Sequence, residues 1–322
     1  MREDDVIPPG ALTRPLAAPL VEAARLRAEG PQLDERDVAL SRRQFVEARL
    51  PLRSGDGILT EDRAIPGPAG PIPIRLYRRA GAEGPLPILV YFHGGGMVLG
   101  NLDSHDLVCR RQAERADLLV MSVDYRLAPE HPYPAATEDA YAGLVYAARF
   151  GAELGGDPTR IAVSGDSAGG MLTLATALMA RDRGGPAIRA LFPIYPMADL
   201  VDVGLWPSYE RHGDGSTGLT TRDVAWFTAQ YCPDPALRAE PPASPVRADL
   251  TSLPPAFIIV AEYDVLRDEG VAVARKLSEA GVEVEFAQVT GVNHGFIGSD
   301  LGLREVDAVF DRAMPWLVER LG

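Results

Sequence analysis

The spacing of apolar and polar positions changes along the chain. Residues 1–55 read as helical and amphipathic, with Leu20, Ala24 and Leu26 in one stretch and Phe45, Val46 and Leu50 in another. The period then shortens. Ile72-Pro73-Ile74-Arg75-Leu76-Tyr77 alternates as an early sheet strand does, and Pro73, which has no amide hydrogen, predicts an edge position. Short apolar runs follow at 88–92, 118–123, 161–164, 190–194 and 257–260, and Val282-Glu283-Val284-Glu285-Phe286 follows them. Runs apolar on both faces predict strands buried on both faces, as in a parallel sheet covered by helices. Helical patterns lie between them, for example over 107–119 and 171–180. The alternation predicts a doubly wound α/β fold.

One interval departs from that rhythm. About sixty residues separate Ile194 from Phe257, too many for a simple crossover, and they include Trp206, Tyr209, Trp226, Phe227 and Tyr231. Insertions in open α/β sheets gather at the carboxyl ends of strands, where ligands bind. Residues 197–235 are therefore expected to form a lid that the N-terminal segment 1–55 completes, over a catalytic domain spanning 56–322. A length of 322 residues suits one large domain with such a lid.

Chemistry enters at the strand ends. Gly165-Asp166-Ser167-Ala168-Gly169 follows the run 161–164 and opens the helical pattern 171–180. Gly-x-Ser-x-Gly alone is common, but strand–turn–helix is the setting that a nucleophile elbow requires. The turn is sharp, so its flanking residues must be small, and Gly165 and Gly169 are. The helix N-terminus behind the serine favours negative charge on a substrate oxygen. His93-Gly94-Gly95-Gly96 closes the run 88–92 and is a far rarer pattern. A loop without Cβ atoms lets backbone N–H groups approach a developing oxyanion. Gly95 and Gly96 are the expected donors, with the N–H of Ala168, while Gly94 shapes the turn and His93 anchors the loop. A phosphate cradle is the competing reading of such a loop, but no Gly-Lys-Ser/Thr or Gly-x-Gly-x-x-Gly sequence accompanies it.

A base and an acid should follow the serine in that order of chain position, acid first. Of five histidines only His212 and His294 lie beyond Ser167. His212 precedes the run 257–260, so an acid after that run leaves His294, in a loop after the strand 282–289. Asp264, Asp268 and Glu262 all lie near the carboxyl end of 257–260, and chain position does not separate them. Asp268 suits the opening of the next helix.

Composition narrows the remainder. A net charge of −13 with no Lys/Arg-rich run offers no footprint for nucleic acid and discourages binding to anionic lipid. Cys109 and Cys232 give neither a disulfide framework nor zinc spacing, and Cys109 reads as a small core residue. The acidic start lacks the features of a secretory signal, and no apolar stretch reaches membrane-spanning length. A cytoplasmic protein is expected.

Taken together, these residues resemble the hormone-sensitive-lipase-like carboxylesterases, bacterial family IV, of the α/β-hydrolase superfamily. The matching runs are His93 to Gly96, Asp124-Tyr125-Arg126-Leu127-Ala128-Pro129-Glu130-His131-Pro132-Tyr133-Pro134-Ala135-Ala136, Gly165 to Gly170, Asp264 to Gly270 and His294-Gly295-Phe296. The resemblance implies an eight-stranded, mostly parallel sheet with helices on both faces and a helical lid. It implies a triad of Ser167, Asp264 and His294. It implies hydrolysis of short to medium acyl esters with no metal or organic cofactor, a small-molecule ester as the partner, and a possible homodimer through the edge of the last strand. An amide or lactone hydrolase would use the same triad, and a hydrolase-like receptor would lack the histidine. Three positions depart from the family pattern. Val265 replaces a proline after the acid, Met97 an aromatic after the glycine loop, and Asn293 an apolar residue before the histidine. The last two are expected to alter the acyl pocket.

Overall fold

In the computed structural model, residues 14–50 and 57–322 are described. Residues 1–13 and 51–55 of the expected N-terminal lid segment lie outside them. The sheet has eight strands: β1 (Ile58–Gly67), β2 (Gly70–Arg79), β3 (Leu86–Phe92), β4 (Leu119–Val123), β5 (Gly156–Asp166), β6 (Ala190–Ile194), β7 (Ala256–Tyr263) and β8 (Val284–Asn293). Their order is β1-β2-β4-β3-β5-β6-β7-β8. β2 runs antiparallel to β1 and β4, and every other pairing is parallel.

The continuous apolar runs are strands for the reason their patterning predicts. In β3, Ile88, Val90 and Phe92 enter one core and Leu89 and Tyr91 the other, all fully buried. The first core is completed by α4 (Ala135–Phe150), α5 (Ala168–Asp182) and α8 (Arg267–Glu279). The second is completed by α3 (Asp106–Arg115) and α9 (Arg304–Leu321). Cys109 sits in α3 as a buried member of the second core.

Two expectations about the sheet edge and the first helices need correction. The strand carrying Pro73 is not the edge. β1 lies outside it, joined by a tight hairpin from Gly67 to Gly70. Pro73 is tolerated because the ladder to β4 begins at Ile74, and its carbonyl still accepts the Asp124 N–H at 3.0 Å. In α1 (Ala18–Ala28), Leu20 and Ala24 are buried one turn apart, but Leu26 is 56% exposed. Leu50, beyond the end of α2 (Val38–Glu47), is 45% exposed. The buried stripe of these helices is thus narrower than the apolar pattern suggests.

The long interval after β6 carries α6 (Pro207–His212) and α7 (Thr221–Tyr231). A reciprocal cap between Thr220 and Asp223 starts α7. The N-terminal segment is tied to this helix. Arg27 donates to Asp223 at 2.7 Å, and Arg222 reaches Asp34 at 2.8 Å and Glu35 at 3.0 Å. No helix among the described residues is long and apolar enough to cross a membrane.

Candidate active site

The carboxyl ends of β3, β5, β7 and β8 converge beneath these helices, and each delivers one part of the site. β5 ends at Asp166, and Ser167 follows at φ 58° and ψ −117°, before α5 begins. A non-glycine residue at positive φ is strained and persists only where its surroundings fix it. Here the Ser167 N–H donates to the Ile194 carbonyl at 2.9 Å, and the Ser167 carbonyl accepts from Met171 and Met197 at 3.1 Å. The bend brings α5 against β3 so closely that a Cβ on Gly169 would stand 1.9 Å from the Phe92 carbonyl oxygen.

β8 runs to Asn293, further than its apolar pattern suggests, so His294 stands at the strand end. Its Nε2 lies 2.8 Å from Ser167 Oγ and its Nδ1 2.7 Å from Asp264 Oδ2. Asp264, just past β7, is 1% exposed, and its Oδ1 accepts the Leu266 N–H at 2.9 Å. The rival carboxylates are engaged elsewhere. Asp268 pairs with Arg211 at 2.8 Å and Arg267 at 2.7 Å, and Glu262 accepts the Gly291 N–H at 2.7 Å. His212 is buried against the Tyr263 ring in the lid interval. The structure thus joins Ser167, His294 and Asp264 and leaves the other candidates apart.

The glycine loop sits opposite. Gly94 donates its N–H to Asp166 Oδ1 at 3.0 Å and is not free for a ligand. Among the described residues, the N–H groups of Gly95, Gly96 and Ala168 meet no protein acceptor. Gly96 has φ 65°, and a Cβ there would stand 2.2 Å from the Phe227 ring of α7. Its missing side chain therefore leaves room both for the backbone conformation and for the lid. His93 is fully buried and stacks on Tyr125 with ring centroids 4.3 Å apart. Burial pushes its pKa down to about 3, with the field of His105 adding to it, so it stays a neutral strut.

Sequence reasoning missed the partner that fixes this loop. Asp166, within the serine motif itself, also accepts the Tyr91 hydroxyl and lies 3.4 Å from His105 Nε2. Burial opposes its ionisation, but His105 and Tyr91 outweigh it and hold the carboxyl at about 2. One buried anion thereby clamps the elbow to the loop. The position was legible, but the partners, on β3 and just before α3, were not.

A cavity of about 380 Å³ opens over Ser167. Leu20, Ala24 and Leu33 line it from the N-terminal segment, and Leu219, Val224 and Phe227 from the lid interval. Asn293 lines it too, and its Nδ2 donates to the Thr217 carbonyl at 2.7 Å, so the polar residue before His294 ties the histidine strand to the lid. Met97 does not line it. Its side chain is wholly buried in the first core, so the substitution after the glycine loop does not shape this cavity.

A family model described as alpha/beta hydrolase fold matches residues 89–298. Esterase LipI of Mycobacterium tuberculosis is 46% identical over 241 residues, 74% of each chain. An ethyl acetate hydrolase of Pseudomonas putida is 37% identical over 295 residues, 89% of this chain and 92% of that one. Among solved structures, a hyperthermophilic esterase of the archaeon Pyrobaculum calidifontis superposes with a TM-score of 0.89 at 40% identity. The match covers 96% of this chain and 100% of the other.

Proposed function

The chain belongs to the α/β-hydrolase family, in its hormone-sensitive-lipase-like carboxylesterase branch, and from that premise we propose a serine esterase acting on short to medium acyl esters. The observation that carries the reading is the unbroken chain from Asp264 through His294 to Ser167 on the floor of the cavity.

In this reading His294 Nε2 takes the Ser167 proton as Oγ bonds to the ester carbonyl carbon. The carbonyl oxygen becomes an anion facing the N–H groups of Gly95, Gly96 and Ala168. Asp264 holds the imidazole by Nδ1 and stabilises its cation. Collapse breaks the ester C–O bond, and His294 returns the proton to the departing alcohol. Water then attacks the acyl-enzyme by the same route and releases the acid.

Residues 14–50 and 197–235 act as the lid in this reading, because both line the cavity and Arg27–Asp223 holds them together. A cytoplasmic location belongs to the proposal and suits two free, buried thiols. So does a homodimer, for which β8 offers an edge strand of the sheet.

A fluorophosphonate probe is expected to label Ser167 in the wild type, with labelling collapsing in His294→Ala. A folded wild type that stays unlabelled would overturn the reading and leave a binding protein without turnover.

A further inference from the structure

Two cations line the active-site cavity without an acidic partner among the described residues. Arg49, just past α2, packs its guanidinium 3.6 Å over the Phe45 ring and gives one N–H to the Phe45 carbonyl at 2.9 Å. A Cβ on Gly298, in the turn after His294, would stand 3.9 Å from Arg49 Nε, so the group lies on the histidine side of the cavity. Arg36 gives Nε to the Pro31 carbonyl at 2.7 Å and Nη1 to the Gln44 amide oxygen at 3.0 Å. Among the described residues neither has a carboxylate within ion-pair distance. Most other described arginines do, as Arg27 does with Asp223 at 2.7 Å in this same cavity wall.

That arrangement is costly unless something else completes it. A guanidinium has five N–H groups, and one on Arg49 is engaged by protein. Burial holds its pKa below the usual value, with the field of Asp166 partly offsetting the loss. Asp166 is not its partner: it lies beyond ion-pair distance, and its Oδ1 already takes the Tyr91 hydroxyl and the Gly94 N–H. Long-range steering does not favour an anion either, because the protein carries a net charge of −13. Any preference for anions must therefore be local, and a ligand carboxylate can take two parallel N–H groups of a guanidinium.

We propose that the substrate is an ester bearing a carboxylate, held by Arg49 in the cavity that Arg36 also lines, while its alkyl part lies on Leu33, Leu219 and Val224. The proposal rests on the esterase reading above. The carboxylate can sit on the acid or on the alcohol part of the ester, and isosteric pairs distinguish them. Monoethyl glutarate is compared with ethyl pentanoate, and 4-acetoxybutanoate with butyl acetate, by pH-stat titration at neutral pH.

In at least one pair the wild type is expected to show the higher kcat/KM for the charged ester. Arg49→Gln is expected to lower the charged-to-neutral ratio of that pair roughly ten- to hundredfold, the range of a hydrogen bond to a charged group. Arg49→Lys should retain part of the preference, since it keeps the charge and loses the planar fork. A ratio unchanged by Arg49→Gln in both pairs, or a wild type that favours the neutral ester in both, overturns the proposal while leaving the esterase reading intact. A wild type that hydrolyses none of the four and resists fluorophosphonate removes both.

Discussion

Replacing Asp264 by Asn changes one atom of a buried side chain, and the structure determines which way the new amide must face. Asp264 Oδ1 accepts the Leu266 N–H at 2.9 Å, and Oδ2 accepts from His294 Nδ1 at 2.7 Å. Asn has one oxygen for these two donors. The Leu266 N–H is fixed in the backbone and cannot become an acceptor, whereas the imidazole can change tautomer. The amide oxygen therefore stays on Leu266 and the NH₂ turns to His294. Nδ1 must then accept, which puts the ring proton on Nε2, facing Ser167 Oγ at 2.8 Å. The base is occupied, and the imidazolium loses its counter-charge. A triad acid lost in this way costs about 10⁴-fold in kcat, or about 5.5 kcal/mol of barrier. The shape of the side chain is kept, so folding should survive. The assay is p-nitrophenyl butyrate hydrolysis together with the rate of fluorophosphonate labelling, and both should fall in parallel. Asp268→Asn is the control, because that carboxylate faces Arg211 and Arg267, and its kcat should stay within about tenfold of wild type, as for a partly exposed pair. Retention of more than a tenth of kcat by Asp264→Asn, or a deeper loss in Asp268→Asn, would refute the assignment.

Gly96→Ala places a Cβ 2.2 Å from the Phe227 ring at a backbone φ of 65° and should lower kcat roughly a hundredfold, the scale of one lost oxyanion donor. The double variant with Phe227→Ala should recover part of this, and a fully active Gly96→Ala would take the loop out of the mechanism. Glu269, wholly buried, has its carboxyl pushed up to about 8 by burial, against donors from Tyr209, Ala198 and Asp199. A folded pKa above the unfolded value contributes stability that is complete at acid pH and is lost as pH rises through about 8. The wild-type Tm should therefore decline from mildly acidic pH to above pH 8. In Glu269→Gln the amide oxygen can keep the Ala198 and Asp199 N–H groups while NH₂ donates to Tyr209, so the decline should flatten. Equal slopes in differential scanning calorimetry would assign the pH dependence to other groups.

What could be read from the chain follows the range over which each feature is determined. Strands buried on both faces announce themselves, because burial demands apolar residues at every position, and β3, β4 and β6 lie where the runs predict. β1 escaped because only Ile58 and Ile65 are buried in it, so it has no period to detect. It exists because β2 offers a free ladder and a two-residue turn leads back to it. The motifs around Ser167 and the glycine loop are local, and their backbone demands are written in consecutive residues. The acid was ambiguous because 262, 264 and 268 differ by single turns of chain, and only the fold decides which carboxylate faces His294. The cavity wall is the least legible part. Arg49 shares it with Ser167 although 118 positions separate them, and nothing in the sequence around 49 distinguishes that arginine from its many paired counterparts. What distinguishes it is its place on the cavity wall with no carboxylate of the described residues within ion-pair distance. In the proposed reading, substrate choice is set by helices that carry no motif, packed over an elbow and loop that do. The same catalytic floor can then serve neutral or charged esters according to one residue above it, and the Arg49 variants measure that dependence directly.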